Sequence, residues 1–403
     1  VKVLFLATWF PYPPSNGAKI RTYYLLKALS SQHQVALLSF ADRKLDPCFV
    51  AHMAGMCREL EIVERDPFAM NHALRVLGWF STMPSALVAT HSKEMSAGVS
   101  RLVRDFKPDC VIASTALTAR YVRDLSGPYK VVDLENISSS VQREQYASSR
   151  TRASRLRRRL AWLKSRAYES RLITGFDHCL VVSDRDRQAL ESIRTGLRPR
   201  ISVIPNGVDT SSDLPGRVRP SPGTLIYSGA LTYKPNFEAM EYFLRAIFPL
   251  IRRQAPEATL RITGETAGVP IDRLPLNGHV ELTGHLSDVR PAIAGSCVCV
   301  VPLLSGGGSR VKVIEAMALG TPVVSTPKGA EGLDVIDGEH LLLARSPAEF
   351  AEQAVRLLRD PELRTGLATK ARRLVEERYD WKAIGKDVCR VLESHARRTR
   401  SDL

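Results

Sequence analysis

Ser305-Gly306-Gly307-Gly308-Ser309-Arg310-Val311-Lys312-Val313-Ile314-Glu315-Ala316-Met317-Ala318-Leu319-Gly320-Thr321-Pro322 is the stretch on which the fold turns. It follows an apolar run at 297–302, opens with three glycines, and then changes to a helical period. Ser309 stands where an N-cap belongs, Gly320 ends the helix, and Pro322 bars its continuation. Strand, glycine turn and helix in that order make one step of a parallel α/β sheet, and the free amides at such a helix start attract anions. Acidic residues ordinarily fill that first turn. Here Arg310 and Lys312 stand in it, although the helix dipole already supplies about half a positive charge there. A phosphate in the turn resolves the conflict, which makes Gly306, Gly307, Gly308, Ser309, Arg310 and Lys312 candidate ligands. The competing account sends both cations into solvent along their apolar stems. Glu315 lies too far along the helix to share that phosphate. It reads as an acceptor for a sugar hydroxyl, or as an i,i+3 partner of Lys312.

Working outward, the same step recurs along the chain. β-Branched apolar runs at 3–7, 34–40, 110–113, 129–132, 179–182 and 201–204 read as buried strands. A second series follows at 224–227, 259–263, 279–282, 297–302, 321–325 and 340–343. Helix-period segments sit between them, among them 17–30, 236–254, 310–319, 347–359 and 361–377. This alternation predicts parallel sheets covered on both faces, with too many strands for one sheet. The fold class is therefore α/β, with two Rossmann-like, doubly wound domains. Residues 209–223 hold three prolines, three serines and two glycines, a composition that reads as a linker. The division is 1–208, the linker 209–223, 224–380, and a closing helix and polar tail at 381–403. A second glycine turn, Ser15-Asn16-Gly17, precedes another helix whose first turns hold Lys19 and Arg21.

Composition narrows the classes further. Apolar residues at 44% and charged residues at 25% over 403 residues exclude a disordered or fibrous chain. No apolar stretch is long enough to cross a membrane as a helix. The 57 lysines and arginines against 42 acids leave a net charge of +15, which favours anionic partners. Neither G-x-G-x-x-G after the first strand nor a P-loop motif occurs, which removes the main support for a dehydrogenase or a P-loop NTPase. The seven cysteines show neither a disulfide framework nor zinc spacing, and the apolar start is too short for a signal peptide. A cytoplasmic protein is expected. Asp184-Arg185-Asp186 follows Ser183 at a helix start and reads as capping, not as a metal site. None of the nine histidines suggests a triad or a metal.

Residues 141–171 stand apart, with ten basic and two acidic side chains. As a helix they align Leu156, Leu160, Leu163 and Ala167 in one stripe, with Trp162 among the arginines. Packing by the leucines with the cations in water is the preferred reading. Contact of 150–171 with an anionic membrane surface stays open, whereas nucleic acid lacks a recognisable module.

With these residues in place, the chain resembles the GT-B-fold, family 4 retaining glycosyltransferases over nearly its whole length. The likeness rests on the Gly17 turn, Ile204-Pro205-Asn206-Gly207-Val208-Asp209, Gly229 after a strand, and Glu315-Ala316-Met317-Ala318-Leu319-Gly320-Thr321-Pro322-Val323-Val324. It implies two domains facing across a cleft, the second binding a nucleoside diphosphate sugar and the first serving a carbohydrate or lipid-linked acceptor. The last helix, 381–392, is implied to cross back to the first domain. The nucleotide sugar is then the donor substrate, and no cofactor or metal is expected. The resemblance implies surface-polysaccharide synthesis as the setting, at or near the inner face of the plasma membrane.

Three positions depart from the family's pattern. The first glutamate of Glu-x7-Glu falls on Gly307, so Glu315 keeps only the ribose-contact role. Ala230 replaces an arginine after Gly229, leaving Arg310 and Lys312, with Lys234 as a helper, to meet the diphosphate. In Asp133-Leu134-Glu135-Asn136-Ile137-Ser138-Ser139, Glu135 takes the place of a histidine and reads as an acceptor contact or a replacement base. The implied catalytic set is Arg310, Lys312 and Glu135, with Gly17, Gly229, Lys234 and the 306–315 segment on the nucleotide sugar. An epimerase on the same fold and a non-catalytic nucleotide-sugar-binding protein are the alternatives.

Overall fold

The computed structural model describes residues 1–70, 81, 83–147, 149, 151–193, 200–211, 217–307 and 310–401, with Ala86 and 394–401 as backbone only. Gly308 and Ser309 of the glycine turn, part of the expected linker, Arg150 and Asp402 lie outside the described residues.

Thirteen strands, counted among the described residues, form two parallel sheets. The first takes β1 (Lys2–Ala7), β2 (Gln34–Ala41), β3 (Glu59–Glu64), β4 (Cys110–Ser114), β5 (Tyr129–Leu134), β6 (His178–Val181) and β7 (Arg200–Val203), in the spatial order β3-β2-β1-β4-β5-β6-β7. The second takes β8 (Ser221–Ser228), β9 (Thr259–Thr263), β10 (Val280–Gly284), β11 (Ser296–Val301), β12 (Val323–Ser325) and β13 (Leu342–Leu343), in the order β10-β9-β8-β11-β12-β13. Each reverses direction beside its first strand, as a doubly wound sheet does. Burial on both faces explains the unbroken apolar runs. In β11, Val298 and Val300 enter one core while Cys299 and Val301 enter the other.

Two differences from the sequence expectation have local causes. β3 carries Glu59, Glu61 and Glu64 among its apolar residues and forms a sheet edge, so it shows no apolar run. The helix expected at 236–254 is broken into Lys234–Tyr242, a π-turn Phe243–Ile247, and Phe248–Gln254. Pro249 lacks the N–H that would continue the ladder, and the wider turn just before it absorbs the misfit.

The chain divides into two compact units, Val1–Pro205 with Ile384–Leu403, and Asn206–Ala383. The helix Trp381–Ser401 thus returns its later part to the first unit. Gly385 sits where an added Cβ would lie 2.6 Å from Ala28 Cβ, so the lack of a side chain permits close packing on the helix Gly17–Ser30.

That helix also supplies the most buried charge of the first unit. Arg21 is wholly buried; its Nε and Nη2 donate to Asp133 Oδ2 (2.8 Å) and Oδ1 (2.7 Å) at the end of β5. Nη1 donates to the carbonyls of Ile204 (2.9 Å) and Pro205 (3.1 Å) just past β7. One side chain therefore joins the helix to two strand ends. Arg21→Ala leaves the Asp133 carboxylate buried without its partner and is expected to cost about 3–5 kcal/mol in urea unfolding. The double replacement Arg21→Met/Asp133→Leu recovers most of that loss.

Candidate active site

In the second unit, three segments that follow parallel strands converge around Lys312. β8 ends at Ser228 and gives way to Gly229, whose N–H donates to Thr263 O (3.0 Å). Gly264, after β9, lies against it so closely that a Cβ there would be 2.6 Å from the Gly229 carbonyl carbon. Only glycine fits at 264, since backbone cannot yield as a side chain can. The loop after β11 brings Gly306 against the turn that opens the helix Lys234–Tyr242. A Cβ on Gly306 would stand 2.9 Å from Pro235 Cβ, and its φ of +98° is one that glycine tolerates.

Lys312 fills the space so framed. It lies in the first turn of the helix Val311–Ala318, and its Nζ is where a Cβ on Gly229 would come within 2.6 Å. The ammonium donates to Tyr227 Oη (2.7 Å) and Asn236 Oδ1 (3.0 Å), and it lies 4.1 Å from the Tyr227 ring centre. Asn236 Oδ1 also accepts the Tyr227 hydroxyl (2.7 Å). Both partners of the cation are neutral. Burial pulls the Lys312 amine down to about 7, the charge of Arg310 acting in the same direction. Glu315, one turn on, is pushed up to about 7 by burial, with Arg290 pulling it back and Asp288 adding to the rise.

The cations expected beside Lys312 sit differently. Arg310 is the residue that precedes the helix, and it is buried, 5% exposed. Its Nη2 donates to Gly306 O (2.9 Å) and lies 3.6 Å from Glu331 Oε2, while Nη1 points to Gly307 O (3.4 Å). The side chain turns back into its own loop and ties the glycines together. Lys234 is exposed and pairs with Glu238 at 3.4 Å, one turn along its helix.

Gly17 and Glu135 belong to the first unit. Gly17 opens its helix behind Asn16, whose Oδ1 accepts from Lys19 N (3.0 Å). A Cβ on Gly17 would meet no described protein atom within 4 Å. Glu135 stands just past β5, two residues beyond the Arg21 partner Asp133. Its Oε1 is buried and has no hydrogen-bond partner among the described residues. Burial pushes this carboxyl up to about 7; the Asp133 charge adds to the rise and Arg21 opposes it.

Two family models match this chain. That for glycosyltransferase family 4 covers residues 15–212, and that for group 1 glycosyl transferases covers 222–360. The chain belongs to the group 1, family 4 glycosyltransferases. An uncharacterized 44.6 kDa protein in the cps region of Klebsiella pneumoniae is 21% identical, over 95% of this chain and 97% of that protein. Glycogen synthase of Mycobacterium tuberculosis is 25% identical, over 96% and 94%. The Anabaena HepE structure in complex with UDP superposes with a TM-score of 0.65 at 16% identity, covering 98% of this chain and all of that one. The fold is GT-B.

The structure of this glycosyltransferase also settles some lesser sequence features. Asp184 and Asp186 lie in a capped first turn, where Ser183 Oγ accepts from Asp186 N (3.2 Å). His178 is held by Tyr129 Oη (3.1 Å) and Ser202 Oγ (2.9 Å), and burial lowers it to about 4. Tyr227, Asn236 and Gly264 escaped the sequence reading. The first two looked like a strand residue and a helix residue, and a glycine pattern cannot show which glycine must touch another. Thr115, at the end of β4, takes a φ of +74°, strained for a β-branched residue, with its hydroxyl 2.8 Å from that of Thr8.

Glu135 has a measurable consequence for stability. Its folded value lies above the ordinary 4.5, so the folded state holds a proton that the unfolded chain releases. The stabilisation from that proton is complete below about pH 4.5 and is lost as the pH rises through about 7. Glu135→Gln removes this dependence. Its unfolding free energy relative to wild type is expected to rise by up to about 3 kcal/mol between pH 4.5 and pH 8, read from urea titrations across that range.

Proposed function

We propose that this glycosyltransferase moves a glycosyl unit from a nucleoside diphosphate sugar to a hydroxyl of a carbohydrate or lipid-linked acceptor, keeping the anomeric configuration. The observation that carries the reading is the Lys312 ammonium, set under the Gly229 backbone beside the glycine loop and hydrogen-bonded, among the described residues, to the neutral Tyr227 and Asn236. A buried cation without a carboxylate partner gains strongly from an anion. The UDP in the HepE complex supports a diphosphate as that anion. Assembly of a surface polysaccharide is the proposed setting, in keeping with the cps-region relative.

In the proposed reaction the bond from the anomeric carbon to the diphosphate oxygen breaks, and a bond to the acceptor oxygen forms on the same face of the sugar. Negative charge gathers on the departing diphosphate, where Lys312 and the amides of the glycine loop meet it. Arg310 acts by fixing the Gly306 and Gly307 carbonyls and by its field. Glu315 receives a donor hydroxyl, and Lys234 guides the anion from solvent. Gly17 is assigned to binding of the nucleotide sugar. Glu135 serves the acceptor hydroxyl, whose proton ends on the leaving diphosphate or on that carboxylate. Positive charge comes from side chains, so the proposed reaction uses no metal.

The test begins with a thermal-shift panel of UDP-, GDP- and ADP-sugars to choose the donor. With that donor and an acceptor panel, Lys312→Ala lowers kcat by about 10²-fold or more. Lys312→Met loses activity likewise yet unfolds at the same or a higher denaturant concentration, because it removes a buried charge. Wild-type turnover by either variant sinks the assignment. Product analysis by NMR gives a glycoside of the donor's anomeric form plus free nucleoside diphosphate; an isomerised nucleotide sugar would mark an epimerase.

A further inference from the structure

The basic helix of the first unit does not pack as its sequence suggests. In the helix Arg152–Ile173 the leucine stripe faces away from the protein: Leu156 is 61% exposed, Leu160 51% and Leu163 44%. The face packed against the unit is instead Ser165, Tyr168, Glu169, Leu172 and Ile173. At about 100° of rotation per residue, Ser165 stands roughly opposite the leucines. Trp162 takes no part in the stripe; it stacks on Tyr146 at 6.0 Å between ring centres. Three large apolar side chains thus line the outer face of a helix.

Their neighbours on that face are cations. Arg152 and Arg159 flank the stripe at roughly 40–60° on one side, and Arg157 and Lys164 at roughly 80–100° on the other. The helix has a single acid, Glu169, and it is turned inward, accepting from Ser139 N (3.2 Å). An apolar ridge between two rows of positive charge, with no acid among them, complements a surface with an oily interior and anionic headgroups. A second copy of the chain fits poorly, because pairing two ridges would set like charges against each other. No helix among the described residues is long and apolar enough to cross a membrane.

We infer that this helix lies flat on an anionic lipid bilayer, with Leu156, Leu160 and Leu163 entering the acyl boundary and the flanking cations resting on the headgroups. The inference is independent of the donor chemistry, since none of these residues belongs to the proposed active site. Contact through one short ridge is reversible and sensitive to salt and to lipid charge.

The experiment is co-sedimentation of the full chain with vesicles of phosphatidylcholine alone, or of equal parts phosphatidylcholine and phosphatidylglycerol. Wild type pellets with the mixed vesicles, is released from them by high salt, and stays in the supernatant when only neutral vesicles are present. Leu156→Ser/Leu160→Ser/Leu163→Ser keeps every charge and loses at least about 10-fold in partitioning. Arg157→Gln/Arg159→Gln keeps the ridge and loses roughly 30-fold on the mixed vesicles, at about fivefold per cation. All these positions face outward, so circular dichroism and the thermal midpoint stay at wild-type values. Equal binding to neutral vesicles, or full binding by the serine variant, overturns the inference. Leucine-dependent dimers in sedimentation velocity without vesicle binding overturn it too, and assign the ridge to a second copy.

Discussion

Lys312 sends its ammonium into a space that stays open because residue 229 has no side chain. Burying a cation is costly, and the usual remedy is a carboxylate in contact. Here the hydrogen-bonding contacts are a phenol and an amide, so the charge is solvated in part and, among the described residues, meets no carboxylate in an ion pair. The amine accordingly sits near neutrality, poised to become fully charged when an anion arrives. The surrounding parts serve that placement. Gly264 lets the Gly229 strand end come close, Gly306 lets the third loop close on Pro235, and Arg310 holds that loop's carbonyls. Substituting any of these glycines changes the shape around the ammonium before it changes the chemistry.

The first unit uses the same sequence device to the opposite end. Arg21 follows a glycine turn at a helix start, as Lys312 does. Its guanidinium, however, is matched by Asp133 and capped by two backbone carbonyls. A fork of five donors suits that task, where a lysine would leave acceptors unmet. Arg21 therefore builds the frame in which Glu135 is buried. Burial first, and the nearby Asp133 carboxylate second, raise the Glu135 carboxyl to about 7. Matched charge makes structure in one unit, and unmatched charge makes a candidate site in the other.

Much of this was legible in the residues themselves. β11 and β8 announce themselves because both faces are covered, and the glycine turn with its helix is visible as a change of period. β3 was not legible, since an edge strand alternates with acids and needs only one covered side. The part of Arg310 was not legible either: a cation before a helix can reach outward or fold back, and the deciding acceptors, Gly306 and Gly307, are peptide carbonyls identical at every position. The leucines of the helix Arg152–Ile173 were misread for a related reason. Periodicity finds an apolar face but does not say which face the neighbouring elements cover, and here Tyr168 and Leu172 take the inward side.

The sequence by itself determined the α/β class, the two parallel sheets, the glycine turns and the family, because strand burial, helix caps and turn chemistry act over a few residues. The tertiary structure alone decided which cation stands unbalanced, which is tied into the frame, and which apolar ridge looks outward. Those outcomes depend on contacts between segments far apart in the chain, such as Lys312 with Tyr227 and Arg21 with Asp133. Local preference carries no information about such partners, whose meeting is fixed only when the sheets are assembled.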